Sequence, residues 1–290
     1  MTDRIIRATG ARTPMRLVLA DITGCANEIG EKHGACGYSL KLLAETAISS
    51  LFLSSGLKFP GTVSVSVNFS GDISMIQADT TPQGLIRAMI PQADILATKN
   101  FEPALSPQTL RVVKLDAKGK RVRESIIDAV SESMGQNIAT FLLQSEQTRS
   151  AVGIEAKINE KNPRQLDYAV GFMLEAYPDL ETKDIEILEQ VVLTLPPLED
   201  FFDGSHYSLS GLMDMLAGPY EVEVVKEIIP EVFCPCSKVR TLATLSSFTT
   251  EDLEYLLEKN EDLEIICDFC RNRYIVTPDE IQNILNQRIE

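Results

Sequence analysis

Cys234-Pro235-Cys236 and Cys267-Asp268-Phe269-Cys270 form a C-x-C and a C-x-x-C separated by 30 residues, and the reading of the chain turns on them. Two close cysteine pairs on two separate turns are what a tetrahedral metal site needs, because each pair clasps one edge of the tetrahedron. A C-x-x-C alone is a weak signal. Two pairs inside one short segment are a strong one, and only a disulfide framework competes with a metal site. Cys234, Cys236, Cys267 and Cys270 are therefore the expected ligands of one zinc ion.

The residues around the pairs are compact. Thr249-x-x-Asp252 reads as a capping box opening a helix that carries Leu253, Leu256 and Leu257. Residues 264–266 lead into the second pair as a strand, and residues 274–276 leave it as another. Thr277-Pro278-Asp279-Glu280 starts a last helix with Ile281, Ile284 and Leu285 turned inward. About 60 residues with so few large apolar side chains cannot build a secure core unaided, so a metal staple is expected here.

Outward from this segment, the charge changes character. Residues 1–180 hold 19 acidic and 19 basic side chains, whereas residues 181–290 hold 23 acidic and 8 basic, so the whole net charge of −15 lies in the C-terminal part. A metal module of this sign repels phosphate backbones, which excludes nucleic acid as the expected partner. Segment 181–230 has 11 acidic and 2 basic residues but keeps regular apolar positions, among them Ile185, Leu188, Val191 and Val192. It reads as helices whose apolar stripe lies against the N-terminal domain. Pro196-Pro197 ends the first of them, and residues 209–216 are a second short amphipathic piece.

The first 180 residues alternate strand and helix patterns. Residues 15–22 read as a strand, followed by a short helix ending near Gly30 or Gly34. Leu40, Leu43, Ala44, Ala47 and Leu51 recur at helical spacing, with Gly56 as the stop. Val63, Val65, Val67 and Phe69 alternate with polar residues as a half-buried strand. Ser70-Gly71-Asp72 is a turn, and residues 73–78 return antiparallel. Residues 85–90, 109–115, 151–158 and 168–176 are further strands, and residues 133–145 a second helix. The basic run 118–123 around Gly119 reads as a solvated hairpin turn. The expected architecture is an α+β core domain (1–180), an acidic helical linker (181–230) and a small zinc-binding domain (231–290).

Composition is that of a soluble globular protein: 44% hydrophobic and 24% charged among 290 residues. No secretory signal opens the chain, and no apolar run approaches a membrane span, so a cytoplasmic location and no membrane partner are expected. In a reducing compartment, paired cysteines point to metal or redox chemistry. Cys25 and Cys36, 11 residues apart, read as small buried hydrophobes. His33 and His206 lie near no metal-partner motif, and His206 in Asp203-Gly204-Ser205-His206 reads as part of a turn. No phosphate-binding loop, serine elbow or dinucleotide fingerprint appears, so no enzyme class is indicated.

Three roles for the cysteines stay open on this reading. Zinc could simply hold the segment folded. The thiolates could be a switch, since oxidation within each pair would remove all four ligands and turn a chemical event into an unfolding event. Catalysis through Cys267-x-x-Cys270 is disfavoured, because strand-like residues flank the motif where a thiol oxidoreductase would start a helix. A constitutive zinc-stabilised adaptor, docking a partner through its acidic linker, is the alternative from another class.

The sequence resembles the heat-shock protein 33 family, the redox-regulated bacterial holdase chaperones. Cys234-x-Cys236-Ser237-Lys238 and Cys267-Asp268-Phe269-Cys270, with Tyr274 after them, match its zinc motif in residue type and spacing. Ser145-Glu146-Gln147, Gly171-Phe172-Met173-Leu174 and Pro178 match more weakly upstream. Arg271 stands where the family often has glycine, and Gly71-Asp72 continues differently from its glycine-rich turn. The resemblance implies an inactive, reduced form holding one zinc ion. It implies that peroxide or hypochlorous stress, aided by heat, forms the disulfides Cys234–Cys236 and Cys267–Cys270. Zinc would leave, the linker would unfold, and the protein, as a homodimer, would hold unfolding client proteins without ATP.

Overall fold

A computed structural model describes residues 3–70, 73–91, 93, 107–202 and 209–289. The turn residues Gly71-Asp72 and the segment Asp203-Gly204-Ser205-His206 lie outside the described residues. The chain divides into two units, residues 1–233 and residues 234–290.

The first unit runs β1 (Arg4–Gly10), β2 (Met15–Asp21), α1 (Thr23–His33), α2 (Gly37–Ser55), β3 (Gly61–Phe69), β4 (Met75–Thr80), β5 (Leu85–Met89), β6 (Pro107–Asp116), β7 (Arg121–Asp128), α3 (Met134–Glu146), β8 (Arg149–Ile158), β9 (Leu166–Ala176), α4 (Thr182–Thr194), α5 (Leu198–Phe202), α6 (Leu209–Ala217), β10 (Val222–Ile228) and β11 (Glu231–Val232). One sheet has the order β10-β1-β2-β9-β8, the other β11-β5-β4-β3-β6-β7. All pairings are antiparallel except β11 with β5.

Helix α2 lies between the two sheets, touching β3 and β4 on one side and β8 and β9 on the other. Its apolar spacing predicts one buried face, yet every residue except Tyr38 and Lys41 is buried. A helix enclosed all round must satisfy its own polar side chains. Thr46 and Ser49 donate to carbonyls one turn back, and Ser50 reaches Val63 and Thr80 across the interface. Strand β9 is buried on both faces. Ala169 and Met173 face the α2 core, while Tyr168, Val170, Phe172 and Leu174 face the other way. Gly171 lets α2 approach the sheet: a β-carbon there would stand 3.1 Å from Phe52 and 2.6 Å from the Gly153 carbonyl.

The far face of the first sheet is covered by the acidic segment. Leu180, Leu188, Leu198, Phe202, Leu209, Leu212 and Leu216 pack on Leu17, Leu19, Val170 and Phe172. The apolar stripe of residues 181–217 thus finds its counterpart in the first unit. Residues 181–230 are not helical throughout, however, because Val222–Ile228 forms β10 and pairs with β1. At the hairpin β6–β7, Gly119 adopts φ +79° and Asp116 accepts from the backbone N–H groups of Lys118 and Lys120, as turn chemistry requires.

The second unit runs α7 (Lys238–Leu245), α8 (Thr250–Lys259), β12 (Leu263–Ile266), β13 (Arg273–Val276) and α9 (Pro278–Ile289). The expected capping box forms between Thr249 and Asp252, and the start of α9 closes a second between Thr277 and Glu280. Among the described residues its buried core is Leu245, Leu253, Val276, Ile281, Ile284 and Leu285.

Candidate metal centre

Each cysteine pair sits on a short connection that rigid neighbours hold in place. Cys234 and Cys236 lie in the extended stretch before α7, where Ser237 closes the helix start by accepting from the Arg240 N–H. Cys267 and Cys270 lie in the turn between β12 and β13. The Cys267 N–H donates to the Asn272 carbonyl at 2.9 Å, and its own carbonyl accepts from the Arg271 N–H at 2.9 Å. Arg271 holds φ +60°, the left-handed conformation that completes this turn. The C-x-x-C therefore occupies a hairpin knuckle and not a helix start.

The four Sγ atoms lie within 4.8 Å of one another. Cys234 Sγ is 3.8 Å from Cys267 Sγ, and Cys236 Sγ is 3.2 Å from Cys270 Sγ. Four sulfurs bonded to one tetrahedral ion at about 2.3 Å stand about 3.8 Å apart. The donor set thus fits a single ion, and all-thiolate donors favour soft or borderline metals. Each cysteine is half-buried, shielded but within reach of solvent.

Tyr274 adds a contact that the spacing of the cysteines does not announce. Its Oη is 3.0 Å from Cys236 Sγ. Tyr274 shares the inward face of β13 with Val276, two residues on, so strand alternation was the signal that could have placed it. Burial pushes the Cys236 thiol up, but hydrogen bonds from Tyr274 and the other three cysteines outweigh it and bring the group down to about 7. Cys270 is pushed up to about 12, first by burial and then by its bonds to Cys236 and Cys267. The metal-free cluster shares its protons unevenly, as coupled groups do. Lys238 Nζ binds Glu280 at 2.8 Å and ties the first knuckle's helix to the start of α9.

Cys25 and Cys36 belong to the first unit. Both are buried, Cys25 with its thiol 3.7 Å from the Pro230 carbonyl and pushed far up by burial. His33 Nε2 lies 3.0 Å from the Ala88 carbonyl.

The Hsp33 protein family model matches residues 3–277. The chain belongs to the Hsp33 family. Hsp33 proteins are chaperones, so the chain joins a family that binds client proteins and not a family of enzymes. It is 27% identical to the 33 kDa chaperonin of Lactococcus lactis over 288 residues, covering 98% of this chain and 99% of that one. It is also 27% identical to the 33 kDa chaperonin of Prochlorococcus marinus over 302 residues, covering 98% and 99%. Its fold matches the crystal structure of the 33 kDa chaperonin from Thermotoga maritima with a TM-score of 0.86, at 18% identity over 100% and 99% of the two chains. No helix among the described residues is long and apolar enough to cross a membrane.

Proposed function

We propose that the protein is a redox-regulated, ATP-independent holdase chaperone of the cytoplasm. Cys234, Cys236, Cys267 and Cys270 would hold one zinc ion in the resting state. The observation that carries this reading is the convergence of four sulfurs within 4.8 Å, in a unit whose own core is six buried side chains. When bound, zinc would keep the four sulfurs as thiolates and supply the staple that the small core lacks.

The chain's own residues then supply the switch. A thiolate attacks a peroxide oxygen, the O–O bond breaks and a sulfenic acid forms. The neighbouring thiol displaces water from it, so each disulfide consumes one hydrogen peroxide, releases two waters and passes two electrons from sulfur to oxygen. Two such events give Cys234–Cys236 and Cys267–Cys270 and remove every metal donor. Cys236 and Cys270 approach to 3.2 Å across the pairs, but pairing within each knuckle closes a ring of three or four residues. Pairing across closes one of more than 30, at an extra chain-entropy cost of about 2 kcal/mol. With the staple gone, the second unit loosens and the acidic segment 181–230 is released, offering its apolar stripe and the sheet beneath it to unfolding clients, with the active form a homodimer.

Light scattering from a thermally unfolding client tests this directly, with the protein either reduced and zinc-loaded or treated with peroxide at elevated temperature. Suppression of aggregation by the oxidised form alone is the expected result. Equal activity of both forms, or of neither, would sink the switch. Cys267→Ser separates it from a constitutive adaptor: a switch loses metal affinity and gains holdase activity without oxidant, whereas an adaptor only fails.

A further inference from the structure

We propose that the α3–β8–β9–α4 region binds a single-chain amphipathic anion, a fatty carboxylate, with its tail under α4 and its head at Lys58 and Arg149. Two cavities carry this. One, of about 720 Å³, is walled by Leu143 of α3, Ala151 and Leu174 of the strands, and Leu188, Val192 and Leu193 of α4. Glu189 is its acidic member. Leu143 and Leu193, which line it, are 56% and 76% exposed.

The second cavity, of about 630 Å³, has four basic side chains in its lining (Arg16, Lys58, Lys114 and Arg149) against two acidic ones, Glu146 and Glu175. Both acids are already engaged: Glu175 accepts from Arg16, and Glu146 from Lys114 at 2.8 Å. Lys58 and Arg149 have no partner among the described residues, so this cavity carries an excess of two positive charges in a chain of net charge −15. Arg149, Ala176 and Ile185 line both cavities, so the apolar space and the cationic space adjoin at the end of the β8–β9 pair. Both volumes fall within the range of small-ligand sites.

Charge and shape select the ligand class. A neutral apolar molecule would leave the two cations unused, and a small inorganic anion would leave the apolar cavity empty. A linear carboxylate satisfies both ends, and charge-assisted hydrogen bonds to the head are strong enough to change affinity about tenfold. The site needs α4 seated on the sheet, as it is in the reduced chain, and none of the four clustered cysteines lines it.

Isothermal titration calorimetry of the reduced full chain with dodecanoate, below its micelle concentration, tests the proposal. One saturable site is expected, with dodecanol, the same chain without the charge, binding about tenfold more weakly. The double variant K58Q/R149Q should lose about tenfold toward dodecanoate and leave dodecanol unchanged. Leu193→Asp, at an exposed position that does not threaten the fold, should weaken both. Circular dichroism confirms that each variant is folded. Absence of saturable binding, equal affinity for the alcohol and the acid, or full dodecanoate affinity in either variant overturns the proposal.

Discussion

Tyr274 and Arg271 show how single residues bear on the four-cysteine cluster. The Tyr274 hydroxyl, 3.0 Å from Cys236 Sγ, donates to that sulfur and helps it carry a negative charge. Groups that hydrogen-bond a metal ligand are commonly worth 10–100-fold in metal affinity. Tyr274→Phe keeps the ring and removes only that bond, so it should lower zinc affinity by about tenfold in competition with a chelator. An unchanged affinity would show that the hydroxyl is a bystander. Arg271 lies at φ +60°, where a β-carbon is disfavoured by about 1 kcal/mol relative to glycine. Arg271→Gly should therefore stabilise the metal-free knuckle by roughly that amount, less the extra freedom glycine has when unfolded. A denaturation midpoint that falls would mean that the arginine side chain makes up the strain. The arginine at this position is thus a backbone matter.

Among the elements, α2 offers a test that does not involve the metal. Glu45 is wholly buried where α2 meets β8, and burial raises its pKa to about 7. Lys41, 3.8 Å away, and the Ala156 N–H pull it down, and Glu155 pushes it up. The folded chain holds this proton up to about pH 7 while the unfolded chain releases it near 4.5. The folded state therefore binds more protons in that window, and its stability is greatest below 4.5 and falls as the pH rises through 7. Glu45→Gln should be more stable than the natural chain at pH 8, by up to about 3 kcal/mol, with the difference vanishing near pH 4.5. A gap in denaturant midpoints that stays constant with pH would contradict the assignment.

The same elements mark what could be read from the sequence. The helical spacing of Leu40 to Leu51 revealed α2, but its enclosure on all sides depends on two sheets that form from distant strands. Strands β1 and β10 were not legible. Of β10 only Ile228 is buried, and the strand is held by backbone pairing with β1, which leaves no side-chain pattern. The convergence of the four cysteines was legible because close pairs on two turns can meet at one point, so the spacing itself carries the geometry. For Tyr274, strand alternation gives its face of β13 but not the sulfur it meets.

At the scale of the whole molecule, the two units differ in what holds them. Residues 1–233 enclose a helix between two sheets, with a second apolar layer beyond. Among the described residues, the unit 234–290 buries six apolar side chains in its core. Structural zinc contributes on the order of 10–16 kcal/mol of apparent binding energy, more than a core of that size supplies. Removing the metal should therefore unfold one unit and spare the other. Hydrogen exchange on the reduced protein with a strong zinc chelator separates the cases. Amides of α8, β12, β13 and α9 should lose protection, while those of α2 and β9 keep theirs. Retained protection throughout would mean that the small core folds unaided, and then the loss of thiolate donors could not act as an unfolding signal. Loss of protection in both units would mean that metal stabilises more than its own unit, and oxidation would disrupt the body that is meant to receive clients.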